Sequence, residues 1–190
     1  MDTKERLFSI LFSRSFIYRE DPPFTLVSGA KSPYYFDCKA TTLDPEGCSL
    51  VGQMMFGIAK NLDIDAVGGL TLGADPISIS TALAAYAGNK IIFPFVVRKE
   101  PKKHGTQKWI EGNLDGVKKV AVIDDVITTG QSTIQAIERI RESGLIVEKA
   151  LVIIDREEGG RVNIENKGVE VISLFKRSDF DKERLKKPIV

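Results

Sequence analysis

From Asp65 onward, short apolar β-branched runs alternate with longer stretches of helical periodicity, and no other feature narrows the fold as much. DAVGGL, IIFPFVV, VAVID, KALVIID and VEVISLF read as strands. Between them, DPISISTALAAYAG carries Pro76 near its start and Gly88 just past its end, the asymmetry expected of a helix. STIQAIERIRESG places Ile134, Ile137 and Ile140 on one face and is closed by Gly144. Upstream, LVGQMMFGIAK also reads as helix. Strands that are apolar throughout must be buried on both faces. Alternating with helices, they predict an α/β fold with a central parallel sheet flanked by helices. Pro94 cannot donate to a ladder, so it must sit at an edge, a strand end or a bulge.

The first 45 residues have a different character. Residues 3–16 place Leu7, Ile10, Leu11 and Phe16 near helical spacing, with Lys4, Glu5 and Arg14 elsewhere, which predicts a surface helix with one buried face. Around FTLVSGAKSPYYFDCK, the breakers Pro22, Pro23, Gly29 and Pro33 leave only short strands, suited to a small lobe. We expect one domain over residues 1–190, with an N-terminal segment of about 1–45 and an α/β core of about 46–190. DKERLKKPIV at the end reads as a short helix or a frayed tail. No second domain of barrel size is expected after the last strand.

The 27 basic and 26 acidic residues nearly cancel, so bulk charge points to neither nucleic acid nor an anionic membrane as partner. No apolar stretch approaches the roughly 18 residues of a membrane span. The N-terminus has no apolar signal region or cleavage site. Cys38 and Cys48 match no zinc spacing and fit reduced thiols in the cytoplasm. No resident metal site is expected.

The chemistry concentrates in KKVAVIDDVITTGQST, residues 118–133. An apolar strand ends in Asp124 and Asp125, and a loop of Thr128, Thr129, Gly130, Gln131, Ser132 and Thr133 leads into a helix. Ligands of open parallel sheets bind beyond the carboxyl ends of strands. Backbone N–H groups and hydroxyls at a helix start favour a phosphate, and glycine permits close approach. Neither a P-loop nor a dinucleotide fingerprint is present. Carboxylates suit neutral hydroxyls, so the pair predicts a ribose 5-phosphate, with acids on the diol and the loop on the phosphate. A magnesium ion would soften the charge between them. The plain alternative is an acid pair that caps the following helix.

RKEPKKHG, residues 98–105, gathers Arg98, Lys99, Lys102, Lys103 and His104. It is either a solvated charge run or a mobile lid that stabilises a departing anion. Arg156 follows an apolar strand; its planar fork suits a carboxylate, or it pairs at the surface with Glu157 or Glu158. Tyr35 and Phe36 fit either stacking on a ligand ring or core packing. Trp109, in TQKWIEGNLDG, packs on a partner or fixes the base of its loop.

These segments carry a family resemblance. VIDDVITTGQST closely resembles the phosphoribosyl-diphosphate signature of the type I phosphoribosyltransferases. FTLVSGAKSPYYFD, RKEPKKHG and IIDREEGG resemble the N-terminal signature, the mobile catalytic loop and the orotate-binding strand end of the orotate phosphoribosyltransferases, in that family's order and spacing. The resemblance covers nearly the whole chain. It implies the type I phosphoribosyltransferase fold with an N-terminal hood, and transfer of phosphoribose from 5-phosphoribosyl 1-diphosphate to orotate with Mg²⁺ carried mainly by the diphosphate. It implies Lys102 as the principal catalytic lysine, with Arg98, Lys99 and His104 on the diphosphate. Asp124, Asp125, Val126, Ile127, Thr128, Thr129, Gly130, Gln131 and Ser132 would form the phosphoribosyl-diphosphate site; Thr128, Arg156, Tyr35 and Phe36 would take orotate. It further implies a homodimer whose loop reaches the neighbouring subunit's site. GGLTLGADPIS, residues 68–78, matches the family's pyrophosphate loop but lacks the lysine many relatives carry there. Val27 likewise stands where many carry lysine. The alternatives are a purine or uracil phosphoribosyltransferase, or a non-catalytic regulator that binds phosphoribosyl diphosphate.

Overall fold

The computed structural model describes residues 2–25, 29, 31–101 and 109–186. The N-terminal helix α1 (Thr3–Arg14) starts at a capping box, in which Asp2 accepts from the Glu5 N–H at 2.7 Å and Glu5 accepts from the Asp2 N–H at 3.2 Å. It buries Leu7, Ile10 and Leu11 as expected. Phe16 is not part of that face. The helix stops at Arg14, and Phe16 opens β1 (Phe16–Tyr18), where its ring lies 5.2 Å from Phe36 and 5.3 Å from Phe180.

Next come β2 (Phe24–Thr25), β3 (Lys31–Ser32) and β4 (Tyr34–Phe36). β1 pairs antiparallel with β4, and β2 with β3, giving two small ladders. A short helix α2 (Lys39–Thr42) precedes α3 (Pro45–Ala59). Asp44 caps α3 by accepting from the N–H groups of Glu46 and Gly47, with Pro45 at the first helical position.

The core then runs β5 (Ala66–Leu70), α4 (Ala74–Ala87), β6 (Phe93–Val97), β7 (Ile110–Glu111), β8 (Lys119–Ile127), α5 (Gln131–Glu142), β9 (Ile146–Asp155), α6 (Gly160–Glu165), β10 (Glu170–Lys176) and α7 (Arg177–Lys186). Among the described residues the main sheet has the order β10-β9-β8-β5-β6-β7, parallel except for β7. Both faces are covered. Along β8, Ala121 and Ile123 enter the core under α1, α3 and α4, while Val120 and Val122 enter the one under α5 and α6. A strand buried on both sides needs no polar alternation, which is why these runs are continuously apolar. Pro94 sits one residue inside β6, opposite Val67 of β5, while β7 reaches only Val96 and Val97. Its missing N–H therefore deprives no partner strand, as the sequence required.

The end of β8 differs from the sequence expectation, while the tail takes the helical one of its two expected forms. VAVID does not end at the acids. β8 continues to Ile127 because Asp124, Val126 and Ile127 still register with Val152, Ile154 and Asp155 of β9. The tail DKERLK belongs to α7, which buries Phe180 against the rings of Phe8, Phe16 and Phe36.

Candidate active site

From the middle of the sheet the chain winds outward in opposite directions, from β5 through α4 to β6 and from β8 through α5 to β9. The loops leaving β5 and β8 therefore diverge at a topological switch point, the usual crevice for a ligand of such a sheet. The two loops meet there. A Cβ on Gly73 would come within 2.8 Å of the Asp125 carboxylate, so the loop passes close against that side chain.

Asp124 and Asp125 are consecutive in a strand and so lean to opposite faces. Asp125 lies against Gly73, on the α4 side. Asp124 turns toward α5 and is 8% exposed. Its Oδ2 accepts from Ser132 Oγ at 2.8 Å and Thr133 Oγ1 at 2.6 Å. Burial, and next the neighbouring Asp125 charge, push the Asp124 carboxyl up to about 7, against the lowering effect of the two hydroxyls. Asp124 Oδ1 accepts from the Asp125 N–H at 3.0 Å and Oδ2 from the two hydroxyls, so neither oxygen is on α5 backbone, and among the described residues no side chain caps the start of α5. The acid pair is thus not a helix cap, and the first N–H groups of α5 remain for a ligand.

Gly130 forms the corner of that loop. Its φ is +78°, the left-handed region that glycine enters at no cost, and a Cβ there would meet the Gly160 carbonyl at 2.9 Å. The loop is backed from behind, since the Gly160 N–H donates to Thr128 O at 2.9 Å and Asn163 Nδ2 to Thr129 O at 3.0 Å.

Arg156 stands just past β9 and is 4% exposed, so it is no surface arginine. Its Nη2 donates to Ser32 Oγ at 3.0 Å and to Glu158 Oε1 at 2.8 Å. Its turn is braced from both sides: buried Asp155 accepts from Arg161 Nε at 2.9 Å and from the Glu157 N–H at 2.8 Å, and Arg177 donates to Arg156 O at 3.1 Å. Tyr35 and Phe36 part company, as neighbours in a strand must. Phe36 is in the aromatic core, 5.9 Å from the Arg156 guanidinium, whereas Tyr35 is 41% exposed and stacks on Phe24 at 5.3 Å.

Arg98 and Lys99 follow β6. They line a cavity of about 380 Å³ with Thr71, Val96, Glu100 and Glu111, and Arg98 pairs with Glu111 at 3.2 Å. Lys102, Lys103, His104 and Gly105 lie outside the described residues, as does Val27. Trp109 fixes its loop base: it packs partly buried against the second core, and the Arg139 guanidinium lies 3.8 Å from its ring centre.

Three groups at the site escaped the sequence reading. Ser32, which meets Arg156, stands in the SPYYF segment but carries no chemical signature of its own. Thr71 Oγ1 donates to Asp75 Oδ2 at 2.6 Å across the turn into α4, and burial raises the Asp75 carboxyl above its ordinary range. Thr71 lies in the turn before α4, so no helical spacing marks that strap in the sequence. The third group is Glu158, read only as a surface partner.

No family model matches the chain. It is 47% identical over 177 residues to the orotate phosphoribosyltransferase of Aquifex aeolicus (strain VF5), covering 93% of this chain and 97% of that protein. It is 46% identical over 171 residues to the orotate phosphoribosyltransferase of Leptospira biflexa serovar Patoc, covering 88% and 92%. The crystal structure of Mycobacterium tuberculosis H37Rv orotate phosphoribosyltransferase in complex with 5-phospho-α-D-ribosyl 1-diphosphate superimposes with a TM-score of 0.77 at 30% identity, covering 95% of this chain and 99% of that one.

Proposed function

The chain belongs to the orotate phosphoribosyltransferase family, and from that premise we propose how its residues divide the reaction. The enzyme transfers the phosphoribosyl group of 5-phosphoribosyl 1-diphosphate to orotate, giving orotidine 5′-monophosphate and pyrophosphate, a step of pyrimidine nucleotide synthesis. The bond from sugar C1 to the diphosphate oxygen breaks, and the deprotonated ring nitrogen of orotate takes its place. No protein nucleophile is needed, so catalysis consists of positioning and electrostatics.

Asp124 and Asp125 accept from the ribose hydroxyls. The loop of Thr128, Thr129, Gly130, Gln131 and Ser132, with the uncapped start of α5, takes the 5′-phosphate, and Val126 and Ile127 set that loop on the strand end. Arg156, with Thr128 alongside, binds the orotate carboxylate. Tyr35 and Phe36 flank the base, Phe36 by backing Arg156. Arg98, Lys99, Lys102 and His104 gather on the diphosphate, with Lys102 the principal catalytic residue. The observation that carries this reading is a buried, braced guanidinium one strand away from an uncapped helix start, because a pyrimidine carboxylate and a ribose phosphate need those two features at one crevice.

Mg²⁺ fits as an ion brought by the substrate. Asp124 Oδ2 already accepts from two hydroxyls and Oδ1 from the Asp125 N–H, so the acid pair offers an ion few free oxygens. Such a donor set suits an ion coordinated mostly by phosphate oxygens, with Asp124 and Asp125 as its protein carboxylates. When bound it would neutralise charge on the departing pyrophosphate.

We further propose a homodimer with shared active sites. Its support is the outer face of α4, where Ile79, Leu83 and Tyr86 are exposed at helical spacing beside Ile91 and Pro94. A contiguous apolar face of this kind is better explained by a second copy than by solvent. Two free cysteines fit a cytoplasmic setting. Among the described residues no helix is long and apolar enough to cross a membrane. The direct test is a spectrophotometric assay with phosphoribosyl diphosphate and orotate, uracil, hypoxanthine or adenine. Turnover of orotate alone is expected; turnover of another base without orotate would overturn the assignment.

A further inference from the structure

A buried guanidinium needs a counter-ion, and in this structure the protein supplies one. Arg156 Nη2 donates to Glu158 Oε1 at 2.8 Å, while its Nε is buried with no partner among the described residues. The Nε–Nη2 edge is where a guanidinium grips a carboxylate with two donors. Arg6 does so in this same chain, holding Glu46 through Nε at 2.7 Å and Nη2 at 2.8 Å. On Arg156 the Nη2 of that edge is already engaged, by a carboxylate of the protein itself and by Ser32 Oγ.

The local backbone explains how Glu158 can hold this place and give it up. Glu157, at φ +59°, and Gly159, at φ +89°, turn the chain back on itself. Both sides of the turn are fastened. The Glu157 carboxylate accepts from the Ser178 N–H at 3.0 Å and Oγ at 3.2 Å, and the Gly160 N–H donates to Thr128 O. The Glu158 side chain, by contrast, is 32% exposed against 5% for that of Arg156. One partner is locked and the other can swing into water.

We propose that Glu158 is a displaceable counter-ion. It neutralises Arg156 while the base site is empty and yields the Nε–Nη2 edge to the carboxylate of the incoming pyrimidine. The proposal rests on the reading of Arg156 as the carboxylate site. Base binding then exchanges one carboxylate for another, and Arg156 is never left buried and unpaired. Glu158 and the ligand carboxylate compete, so Glu158 weakens the binding of a carboxylate-bearing pyrimidine and has no such effect on one lacking it.

Calorimetric titration of orotidine 5′-monophosphate and of uridine 5′-monophosphate, which lacks the carboxylate, separates the possibilities. Glu158→Gln should tighten orotidine monophosphate by about three- to tenfold and leave uridine monophosphate within about twofold. The free variant should also melt below the wild type, because its Arg156 is unpaired. Unchanged or weaker binding of orotidine monophosphate, or an equal gain for both nucleotides, would overturn the proposal. Arg156→Ala tests the layer beneath, since it should lower the preference for orotidine over uridine monophosphate. If that preference persists, Arg156 is not the carboxylate site and both readings fall. If Arg156→Ala removes it while Glu158→Gln changes nothing, only the counter-ion role fails.

Discussion

Arg156 Nη2 donates to Ser32 Oγ at 3.0 Å across 124 positions of sequence, tying the N-terminal SPYYF segment to the end of β9. In the proposed site the bond joins the two parts of the chain that meet at the base. Removing either end should therefore act on orotate more than on phosphoribosyl diphosphate. Arg156→Lys loses the two-donor edge and should lower kcat/KM for orotate by about 10- to 100-fold, chiefly through KM. Ser32→Ala should cost less, about two- to tenfold. Steady-state kinetics with each substrate varied in turn checks both, and an equal effect on the KM for phosphoribosyl diphosphate would count against this division.

Asp124 makes stability depend on pH in a direction that can be stated. Its folded pKa of about 7 lies above the ordinary 3.8, so between these values the native state holds a proton that the unfolded chain has released. Stability from this group is full below the lower value and is lost as pH rises through the upper one. Asp124→Asn should melt about 2–4 °C higher than the wild type at pH 8 while losing activity, and the gain should vanish near pH 4. A scan of melting temperature against pH decides it; an Asn variant less stable at pH 8 would refute the burial of an unfavourable charge.

Gly130 and Gly144 form a controlled pair. Both have φ near +80°, but a Cβ at Gly130 meets the Gly160 carbonyl while one at Gly144 meets nothing. Each alanine variant should lose about 1–3 kcal/mol of stability from backbone strain. Only Gly130→Ala should also raise the KM for phosphoribosyl diphosphate, by about tenfold, because the phosphate loop must shift. Equal KM values for the two variants would remove the loop from the phosphate site.

The proposed dimer makes two separable predictions. Leu83→Glu on the exposed face of α4 should convert dimer to monomer, read by light scattering, with activity falling as the dimer is lost. Lys102→Ala and Arg156→Ala subunits, each inactive by about 100-fold or more, should regain activity when mixed if the lid of one subunit serves the site of the other. Subunit exchange without recovery would leave the dimer intact and the sharing wrong.

What was legible in the sequence was whatever local period controls. The runs around Val120–Ile123 and Leu151–Ile153 had to be strands buried on both faces, and Ile137 and Ile140 had to face the core from one helix. The acids, the Thr-Gly-Ser loop and the basic run were visible as chemistry. What depended on long-range pairing was not. β8 runs on past Asp124 because β9 lies alongside it, and β7 exists only because Val96 and Val97 offer it an edge. Nothing in the spacing joined Ser32 to Arg156. Tyr35 and Phe36 were readable as strand neighbours, and strict alternation would already have separated them.

In the proposed site, one crevice holds a pyrimidine carboxylate on Arg156 and a ribose phosphate on the loop before α5. A crystal structure with orotidine 5′-monophosphate bound tests it most directly. The carboxylate should lie within hydrogen-bond distance of Arg156, the ribose hydroxyls on Asp124 and Asp125, and the phosphate against the N–H groups of residues 129–132. A nucleotide seated with its phosphate away from that loop, or its carboxylate away from Arg156, would contradict it.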